Sequence, residues 1–180
     1  MKHKKFRMGT LGFLLVITCG CAPRARPSRP PSPPPVRPGP PAPERERQVV
    51  RLYFATDDFE RLALEERLLK PSELTPQRVV ELLIAGPGEA QHEALLPPTT
   101  KVRQVTVREG VATVDLSADF LKDFRGGDPY FYLAVYSLVN TLTELSGIEE
   151  VQFLIDGQTV EAFGGIPLNE PLRRDESLLE

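Results

Sequence analysis

KVRQVTVREGVATVDLS, residues 101–117, predicts a β-hairpin whose own apolar residues fix its register. A two-residue turn at Glu109-Gly110 pairs Val105 with Val114 and gives each face of the hairpin a single character. The apolar face then carries Val105, Val107, Ala112, Val114 and Leu116, and the polar face carries Gln104, Thr106, Thr113 and Asp115. Arg103 falls on the apolar face, so we expect a bulge or the strand start there. Glutamate is unfavourable as the first residue of a type I′ turn, which leaves the turn type open.

The charge of the chain is distributed unevenly. Residues 1–43 carry eight Lys/Arg and no acidic residue, whereas residues 44–180 carry 14 basic and 25 acidic residues, a net charge of −11. A domain that acidic repels polyanions, so we expect no nucleic-acid partner. Hydrophobic residues make up 41% of the 180 residues, which suits one globular domain with appended segments.

Residues 1–21 resemble a bacterial lipoprotein signal peptide. A basic start, MKHKKFR, precedes an apolar run of about 11 residues, which is too short to span a bilayer as an ordinary helix. In a lipobox, a small residue precedes the cysteine that becomes diacylated and N-terminal. Cys21 after Gly20 fits this pattern best, and Cys19 after Thr18 fits it less well. The alternative is an ordinary secretory signal that contains cysteines.

The segments that flank the domain are predicted to lack a core. Residues 22–47 form a proline-rich linker, and their first 22 residues contain 11 of the 19 prolines. Such a sequence favours an extended polyproline II spacer, which at ~3.1 Å per residue reaches about 70 Å. We interpret it as a stalk that holds the domain away from a membrane. The mostly polar C-terminal tail, residues 168–180, is expected to be loosely held.

Two helices are predicted in the domain, residues 48–167. Thr75-Pro76 and Asp128-Pro129 each offer an N-cap followed by a proline at the first helical position. The first helix stops at Gly86-Pro87, and the second runs to about Leu145. Its core stripe consists of Phe131, Val135, Leu138, Leu142 and Leu145. A second stripe, Tyr132, Tyr136 and Val139, is interpreted as a wider buried face and not as a ligand platform.

Strands are predicted on both sides of these helices. The first covers Gln48–Ala55, and the apolar run Arg67–Leu69 is a candidate partner for it. The last clear strand, Glu150–Ile155, turns at Asp156-Gly157 into a short returning strand, Thr159–Ala162. Together with the hairpin, this order predicts an α+β fold: a small, mainly antiparallel β-sheet with two helices packed on one face, β-(β)-α-β-β-α-β-(β).

Eight segments follow one another along residues 48–175 in a specific order. They are VRLYF (50–54), ER (66–67), ELLIAGP (81–87), LP (96–97), GVATVDLS (110–117), SLVNTLT (137–143), VQFLIDG (151–157) and PL (171–172). This series resembles the GerMN domain family, the sporulation and spore-germination module of bacterial envelope lipoproteins. The resemblance implies a non-catalytic, extracytoplasmic module, whose relatives act in envelope assemblies of sporulating bacteria or beside signalling and wall-remodelling proteins. Together with the signal sequence, it predicts a module lipid-anchored to the bacterial cell membrane. It implies no site residue beyond the lipid-bearing cysteine.

The reactive side chains of the domain argue against most kinds of catalysis. His92 is its only histidine and it holds no cysteine, which excludes a Cys/His pair and the usual zinc sites. No glycine-rich loop stands where a phosphate site requires one, and no cofactor or metal is implied. A carboxylate-dependent wall hydrolase is a further alternative, with Asp115, Asp119 and Asp123 as its candidates. Their simpler interpretation is structural: Asp115 pairs with Gln104 across the hairpin, and the others are solvated or cap a helical turn.

Two kinds of binding function remain. We expect a protein-interaction scaffold that docks an envelope protein through a sheet edge or an apolar patch. The alternative is a module that binds peptidoglycan or another glycan, which usually stacks on exposed aromatic rings. The absence of Trp argues against this alternative, and four tyrosines keep it open: Tyr53, Tyr130, Tyr132 and Tyr136. A groove lined by Tyr132 and Tyr136 would favour glycan binding, whereas burial of both would favour the scaffold.

Cys21 is predicted to be the lipid-attachment residue. Cys21→Ala should abolish incorporation of labelled palmitate, because the diacylglycerol thioether forms on the sulfur of that residue. Metabolic labelling of the wild type, Cys21→Ala and Cys19→Ala measures this. Equal labelling of the wild type and Cys21→Ala would contradict the assignment, and loss only in Cys19→Ala would move the site to Cys19.

Overall fold

A computed structural model describes residues 47–180. Its strands are β1 (Gln48–Thr56), β2 (Leu62–Leu69), β3 (His92–Glu93), β4 (Val102–Arg108), β5 (Val111–Leu116), β6 (Glu150–Ile155), β7 (Ala162–Phe163), β8 (Ile166–Pro167) and β9 (Leu172–Arg173). Its helices are α1 (Pro76–Ile84), after β2, and then α2 (Asp119–Lys122) and α3 (Asp128–Leu142), after β5. The predicted signal peptide, with Cys19 and Cys21, and nearly all of the predicted linker lie outside the described residues. Within residues 47–180, no helix has the length and apolar character needed to cross a membrane.

The hairpin of β4 and β5 forms with the predicted register. Val105 pairs with Val114, and toward the turn Thr106 pairs with Thr113 and Val107 with Ala112. Glu109 and Gly110 have φ values of 51° and 82°, and a type I′ turn requires a positive φ at both of these positions. The predicted two-residue turn is therefore confirmed. Glu109 adopts the left-handed conformation that a type I′ turn requires, although glutamate is unfavourable at this position.

The irregularity expected at Arg103 is also present, because the register of the hairpin shifts between Val102 and Gln104.

The two strands of the hairpin differ in how deeply their predicted apolar residues are buried. Its β5 residues are completely buried: Ala112, Val114 and Leu116. On β4, which is the edge strand of its sheet, Val107 keeps 42% of its surface exposed.

The described strands are divided among three sheets. One has the order β2-β1-β3, a second has the order β4-β5-β6-β9, and β7 pairs with β8. The pairing is antiparallel throughout, except that β5 and β6 are parallel. The predicted α+β class with mainly antiparallel pairing is confirmed. The difference from the expected architecture is that the strands lie in separate sheets.

A helix, and not a strand of the hairpin, lies along the open edge of β1. β3 pairs with only the last two residues of β1, Ala55 and Thr56. Further back, the N–H of Tyr53 donates to Thr141 Oγ1 at 3.0 Å, and the carbonyl of Tyr53 accepts from Ser137 Oγ at 2.6 Å. Residues 137 and 141 lie one turn apart on α3, so the helix runs beside the strand. At Tyr53, α3 therefore occupies the place beside β1 that a strand of a shared sheet would take.

The segments β1, β2 and α1 follow the sequence predictions closely. β2 pairs with β1 along its whole length, so the strand predicted at Arg67–Leu69 is confirmed and begins earlier, at Leu62. Thr75 caps α1, since its hydroxyl accepts a hydrogen bond from the backbone N–H of Arg78 at 3.2 Å. The helix ends just before Gly86, whose φ of 89° suits a glycine.

α3 forms the centre of the core. It begins at Asp128 with Gly127 as its N-cap, so the prediction that Asp128 caps the helix is wrong. The carboxylate of Asp128 lies instead in the first turn, where the helix dipole favours negative charge. The helix ends at Leu142, slightly before the predicted end. Its buried residues surround most of its circumference and include four of the five residues of the predicted stripe: Phe131, Leu133, Ala134, Val135, Ser137, Leu138, Val139, Asn140, Thr141 and Leu142. The fifth, Leu145, lies after the helix and is half-buried.

The chain after β6 departs from the prediction. The returning strand expected at Thr159–Ala162 does not form. Within residues 159–162 only Ala162 belongs to a strand, β7, which pairs with β8, and an isolated bridge joins Ile155 to Gln158. The turn at Asp156-Gly157 is present, with φ values of 50° and 78°. However, the N–H of Gly157 donates to Asp115 Oδ1 at 2.8 Å, which directs the chain toward the hairpin. The antiparallel partner of β6 is therefore β9.

The C-terminal tail is packed against the domain, so the expectation that residues 168–180 are loosely held is wrong. Leu168 is completely buried, and β9 occupies the edge of β6. The N–H of Glu180 donates to the carbonyl of Leu62 at 3.1 Å, which ties the last residue to β2. The polar composition of the tail was misleading because several of its polar groups form hydrogen bonds to the domain.

Val114 is expected to contribute strongly to stability. Its side chain is completely buried, whereas Thr113 on the opposite face is only half-buried. Val114→Ala should lower the free energy of unfolding by about 1–3 kcal/mol through lost burial and a cavity, and Thr113→Ala should cost much less. Urea unfolding of both variants measures the difference. Equal or reversed costs would contradict the register.

Candidate functional site

The first carboxylate candidate, Asp115, has a structural role. It lies opposite Gln104, as predicted, and its Oδ2 accepts a hydrogen bond from Arg103 Nε at 3.2 Å. Its Oδ1 accepts the N–H of Gly157, and Arg103 also pairs with Asp156 at 3.2 Å. These contacts connect β4, β5 and the turn after β6, so the carboxylate holds three strands in place.

The other two carboxylate candidates are bound to separate neighbours. Asp119 accepts a hydrogen bond from Ser117 Oγ at 3.0 Å, and Asp123 accepts one from Thr99 Oγ1 at 2.7 Å. Across residues 47–180, no group of three or more His, Cys, Asp or Glu side chains could hold a metal ion. Each candidate carboxylate therefore has a structural partner. For Asp119 and Asp123 that partner is a hydroxyl group, and the expectation that they are solvated or cap a helical turn is wrong, since no side chain caps α2.

His92 belongs to a buried cluster around Glu65, a residue to which the sequence analysis gave no role. Only 3% of Glu65 is exposed, and His92 Nδ1 lies 2.9 Å from its Oε1. The carboxylate also accepts hydrogen bonds from the N–H groups of Gly88 and Glu89 at 2.9 and 3.0 Å, and from Arg67 at 3.0 Å. The cluster fixes the loop after α1 onto β2.

The hydrogen bonds around Glu65 determine its ionisation. Burial by itself raises the pKa of this carboxyl, but its donors outweigh that effect and lower the pKa to about 2. The donors are the N–H of Gly88, the His92 ring, the N–H of Glu89 and the Arg67 guanidinium. A carboxylate with four donors is stable in its charged form and is a poor general acid.

Asn140 fastens the tail to α3. Its Nδ2 donates to the carbonyl of Asp175 at 2.8 Å, and its Oδ1 accepts the N–H of the same residue at 3.0 Å. Next to it, Arg174 Nη1 donates to the carbonyl of Asn140 at 2.9 Å. A completely buried amide that binds a backbone in this way satisfies both of its polar atoms. The asparagine within SLVNTLT is therefore structural.

The four tyrosines differ in what surrounds them. Tyr53 is buried, and its hydroxyl donates to Glu144 at 2.8 Å and accepts from Arg174 at 2.9 Å. Tyr132 and Tyr136 are half-buried and pack against each other with ring centroids 4.5 Å apart and ring planes tilted by 37°. Burial and the hydrogen bond to Asp175, 3.0 Å long, raise the pKa of Tyr132. Tyr130 is 41% exposed.

One face of Tyr132 lines a depression that we call the aromatic groove. Its volume is about 350 Å³, and its walls are mostly apolar: Phe59, Glu60, Pro129, Tyr132, Leu133 and Leu178. Tyr130 lies next to the groove, and its ring packs edge-on against Phe59 with centroids 5.0 Å apart. Three elements contribute: the turn between β1 and β2, the first two turns of α3, and the short 3-10 turn Glu176–Leu178. Tyr132 thus lines a groove, whereas Tyr136 does not.

Phe59 reaches the groove through an unusual backbone conformation. Its φ is 56°, a region that bulky residues rarely occupy. The turn around it is well bonded, since the N–H of Phe59 donates to the carbonyl of Thr56 at 3.0 Å and the N–H of Thr56 donates to the carbonyl of Arg61 at 3.0 Å. Asp58 accepts the N–H of Glu60 at 3.0 Å. The turn therefore holds the ring in place.

A second apolar depression, of about 440 Å³, lies near the start of β1. Val49, Leu74, Val107, Leu145 and Ile148 contribute apolar atoms to it, together with Pro76, Ser146 and Glu144. Val49 and its cross-strand partner Leu68 are 52% and 59% exposed. The aromatic groove differs from this surface because it contains several rings.

Comparisons with known proteins agree on one family. A family profile described as "Sporulation and spore germination" (Germane) matches residues 51–161. The first GerMN domain of the sporulation protein GerM from Bacillus subtilis is 27% identical, with a TM-score of 0.61, and the match covers 71% of this chain and 98% of that domain. The comparison with curated proteins gave no match.

Two further solved structures are similar. The tandem GerMN domains of GerM from Bacillus subtilis are 26% identical with a TM-score of 0.61, and the match covers 71% of this chain. This chain spans only 46% of that tandem chain. A candidate lipoprotein from Clostridium perfringens has the same fold, with 22% identity, a TM-score of 0.52, and coverage of 71% of this chain and 88% of that one.

Sequence reasoning missed the residues that matter most to the groove and to the buried cluster. Phe59 lies in an acidic stretch that predicts an irregular loop, and no local pattern indicates a positive φ there. Glu65 lies on the buried side of β2, and the sequence predicted a strand only over the last three residues of that segment. The alternation of β2, with Ala63, Glu65 and Arg67 on one face, is the signal that could have identified it.

Glu65 is expected to make stability depend on acid pH. Because its pKa of about 2 lies below the ordinary value of 4.5, its contribution is complete above pH 4.5 and is lost as the pH falls toward 2. A shift of this size corresponds to about 3 kcal/mol. Urea unfolding of Glu65→Gln and the wild type should therefore differ more at pH 7 than at pH 3. Glu66→Gln, at the exposed neighbouring position, is the control. A pH-independent difference for Glu65→Gln would contradict the assignment.

Proposed function

Because this chain belongs to the sporulation and spore germination family, we propose that it is a non-catalytic module that holds a protein partner near the cell membrane. One observation carries the proposal. The polar side chains that could perform chemistry are bound to structural partners, as at Asp115, Glu65 and Asn140. The aromatic groove and the depression near the start of β1 are not part of these contacts, and their apolar and aromatic side chains suit binding.

The proposed setting is the outside of the cell membrane, in an envelope assembly of sporulation or germination. GerM, which has GerMN domains like this one, is described as a sporulation protein. The sequence of residues 1–21 supports export and a lipid anchor at Cys21. The proline-rich linker at 22–47 supports reach, because tethering raises the local concentration of a partner in the same membrane.

The charge of the domain supports a basic partner. Its net charge of −11 steers positively charged protein surfaces toward it and repels anionic polymers. The aromatic groove also gives a second candidate function some support, because Tyr130 and Tyr132 offer ring surface on which a wall glycan could stack. Anionic wall polymers would still meet an unfavourable charge.

Anchoring is expected to be necessary for function. In a strain lacking the protein, the full chain should restore the phenotype. Cys21→Ala, secreted at an equal level, should restore much less because the local concentration is lost. A deletion of residues 27–43 should also impair function while leaving the unfolding curve of the domain unchanged. Complementation assays with matched expression measure all three.

Two outcomes would contradict the proposed function. Full activity of the secreted Cys21→Ala protein at native expression would count against tethering. Hydrolysis of purified peptidoglycan by the domain, abolished by Asp115→Asn, would show a carboxylate enzyme. The matched control for that substitution is Asp156→Asn, which removes an exposed partner of the same arginine.

A further inference from the structure

We propose that the aromatic groove binds a basic, proline-rich segment of a partner protein in the polyproline II conformation. This inference rests on the proposed function, since it names the chemistry of the partner. Polyproline II segments expose prolines along a preformed helix, and proteins recognise them with grooves lined by aromatic rings. Phe59 and Tyr132 provide such rings in the lining of the groove, and the exposed ring of Tyr130 packs against Phe59 beside it.

The walls of the groove suit proline rings. Pro129, Leu133 and Leu178 supply apolar surface between the aromatic residues, and Glu60 is the one charged residue in the lining. The volume of about 350 Å³ is at the lower end of the range for ligand sites. A site of this size accommodates a few residues of an extended peptide and leaves the flanking residues of the peptide at the rim.

The negative charge around the groove predicts that the peptide residues next to the prolines are basic. The elements that form the groove carry five exposed acidic residues: Asp57, Asp58, Glu60, Asp128 and Glu176. The nearby basic residues neutralise only one of them. Arg61 donates to the carbonyl of Leu179 at 3.0 Å, and Arg174 pairs with Glu144 at 2.8 Å and with Glu176 at 3.5 Å. The other four acidic residues form no ion pair within residues 47–180. Arginine or lysine next to the prolines would therefore be attracted.

The groove is also held in shape before any ligand arrives. The bonded turn fixes Phe59 at its positive φ, and Asp175 fixes the hydroxyl of Tyr132. Gly126 leaves room for Tyr130, because a Cβ at that position would lie 2.9 Å from the Cβ of Tyr130. Strained backbone that the surroundings over-determine is typical of binding sites. A preformed groove reduces the entropy lost on binding.

The test uses three labelled peptides, which separate the contribution of the proline rings from that of the positive charge. The probe is RPPRPPRPP; RAARAARAA keeps its charge without proline, and EPPEPPEPP keeps the prolines with reversed charge. Fluorescence anisotropy with the full chain in detergent micelles should show saturable binding of the probe. Binding of each control peptide should be weaker by about tenfold or more. Added salt should weaken binding of the probe.

Variants of exposed residues locate the site. Tyr130→Ala and Glu60→Lys should each weaken binding of the probe by about tenfold. Val107→Ala and Glu109→Lys are matched controls on the hairpin, outside the groove lining, and should leave binding unchanged. Circular dichroism and urea unfolding verify that each variant is folded. A Phe59→Leu variant provides a second reduction of ring surface if Tyr130→Ala unfolds.

Several results would overturn the inference. These are no saturable binding of the probe, equal binding of RAARAARAA, or equal losses in the groove and hairpin variants. Binding of soluble peptidoglycan fragments that Tyr130→Ala abolishes would reassign the groove to glycans. Tighter binding by residues 47–180 than by the full chain would identify the chain's own proline-rich segment as the occupant. If anchoring is still required in the complementation assay while the probe fails, the proposed function survives and only this inference falls.

Discussion

Two hydroxyl groups on α3 occupy the backbone edge of β1, and much of the domain depends on that contact. Ser137 and Thr141 bond the carbonyl and N–H of Tyr53, so the helix lies where a neighbouring strand would otherwise pair. An unpaired buried backbone group costs about as much as a lost hydrogen bond, so both hydroxyls are needed. The position of α3 then fixes Asn140 against the tail and Tyr132 in the wall of the aromatic groove.

The local elements could be predicted because each has a short-range physical cause. Alternation of apolar residues set the register of the hairpin, and Thr75 before a proline set the start of α1. The division into sheets and the packed tail could not be predicted in the same way. They depend on Ser137, Asn140 and Thr141, whose partners lie 84, 35 and 88 residues away in sequence. The aromatic groove depends on Phe59, whose conformation has no sequence signature.

The segments that identify the family serve mainly to build the domain. SLVNTLT supplies the side chains that hold β1 and the tail, and VQFLIDG supplies β6 and the turn that Asp115 fastens. The groove is built largely outside these segments, from the β1–β2 turn, the start of α3 and the 3-10 turn. The residues that build the family's frame and the residues that line the groove are therefore different sets.

The direction of β1 determines how the domain would bear a mechanical load. The linker enters at Gln48, and the groove lies beyond Thr56 at the far end of the same strand, a span of about 30 Å for nine residues. A partner held in the groove against a fixed membrane anchor would pull along this strand. The hydrogen bonds to β2 are perpendicular to the strand, so they would resist the pull together, in shear. A force that separates two strands from one end breaks their hydrogen bonds one after another. A force directed along β1 would instead load all of its hydrogen bonds to β2 at once.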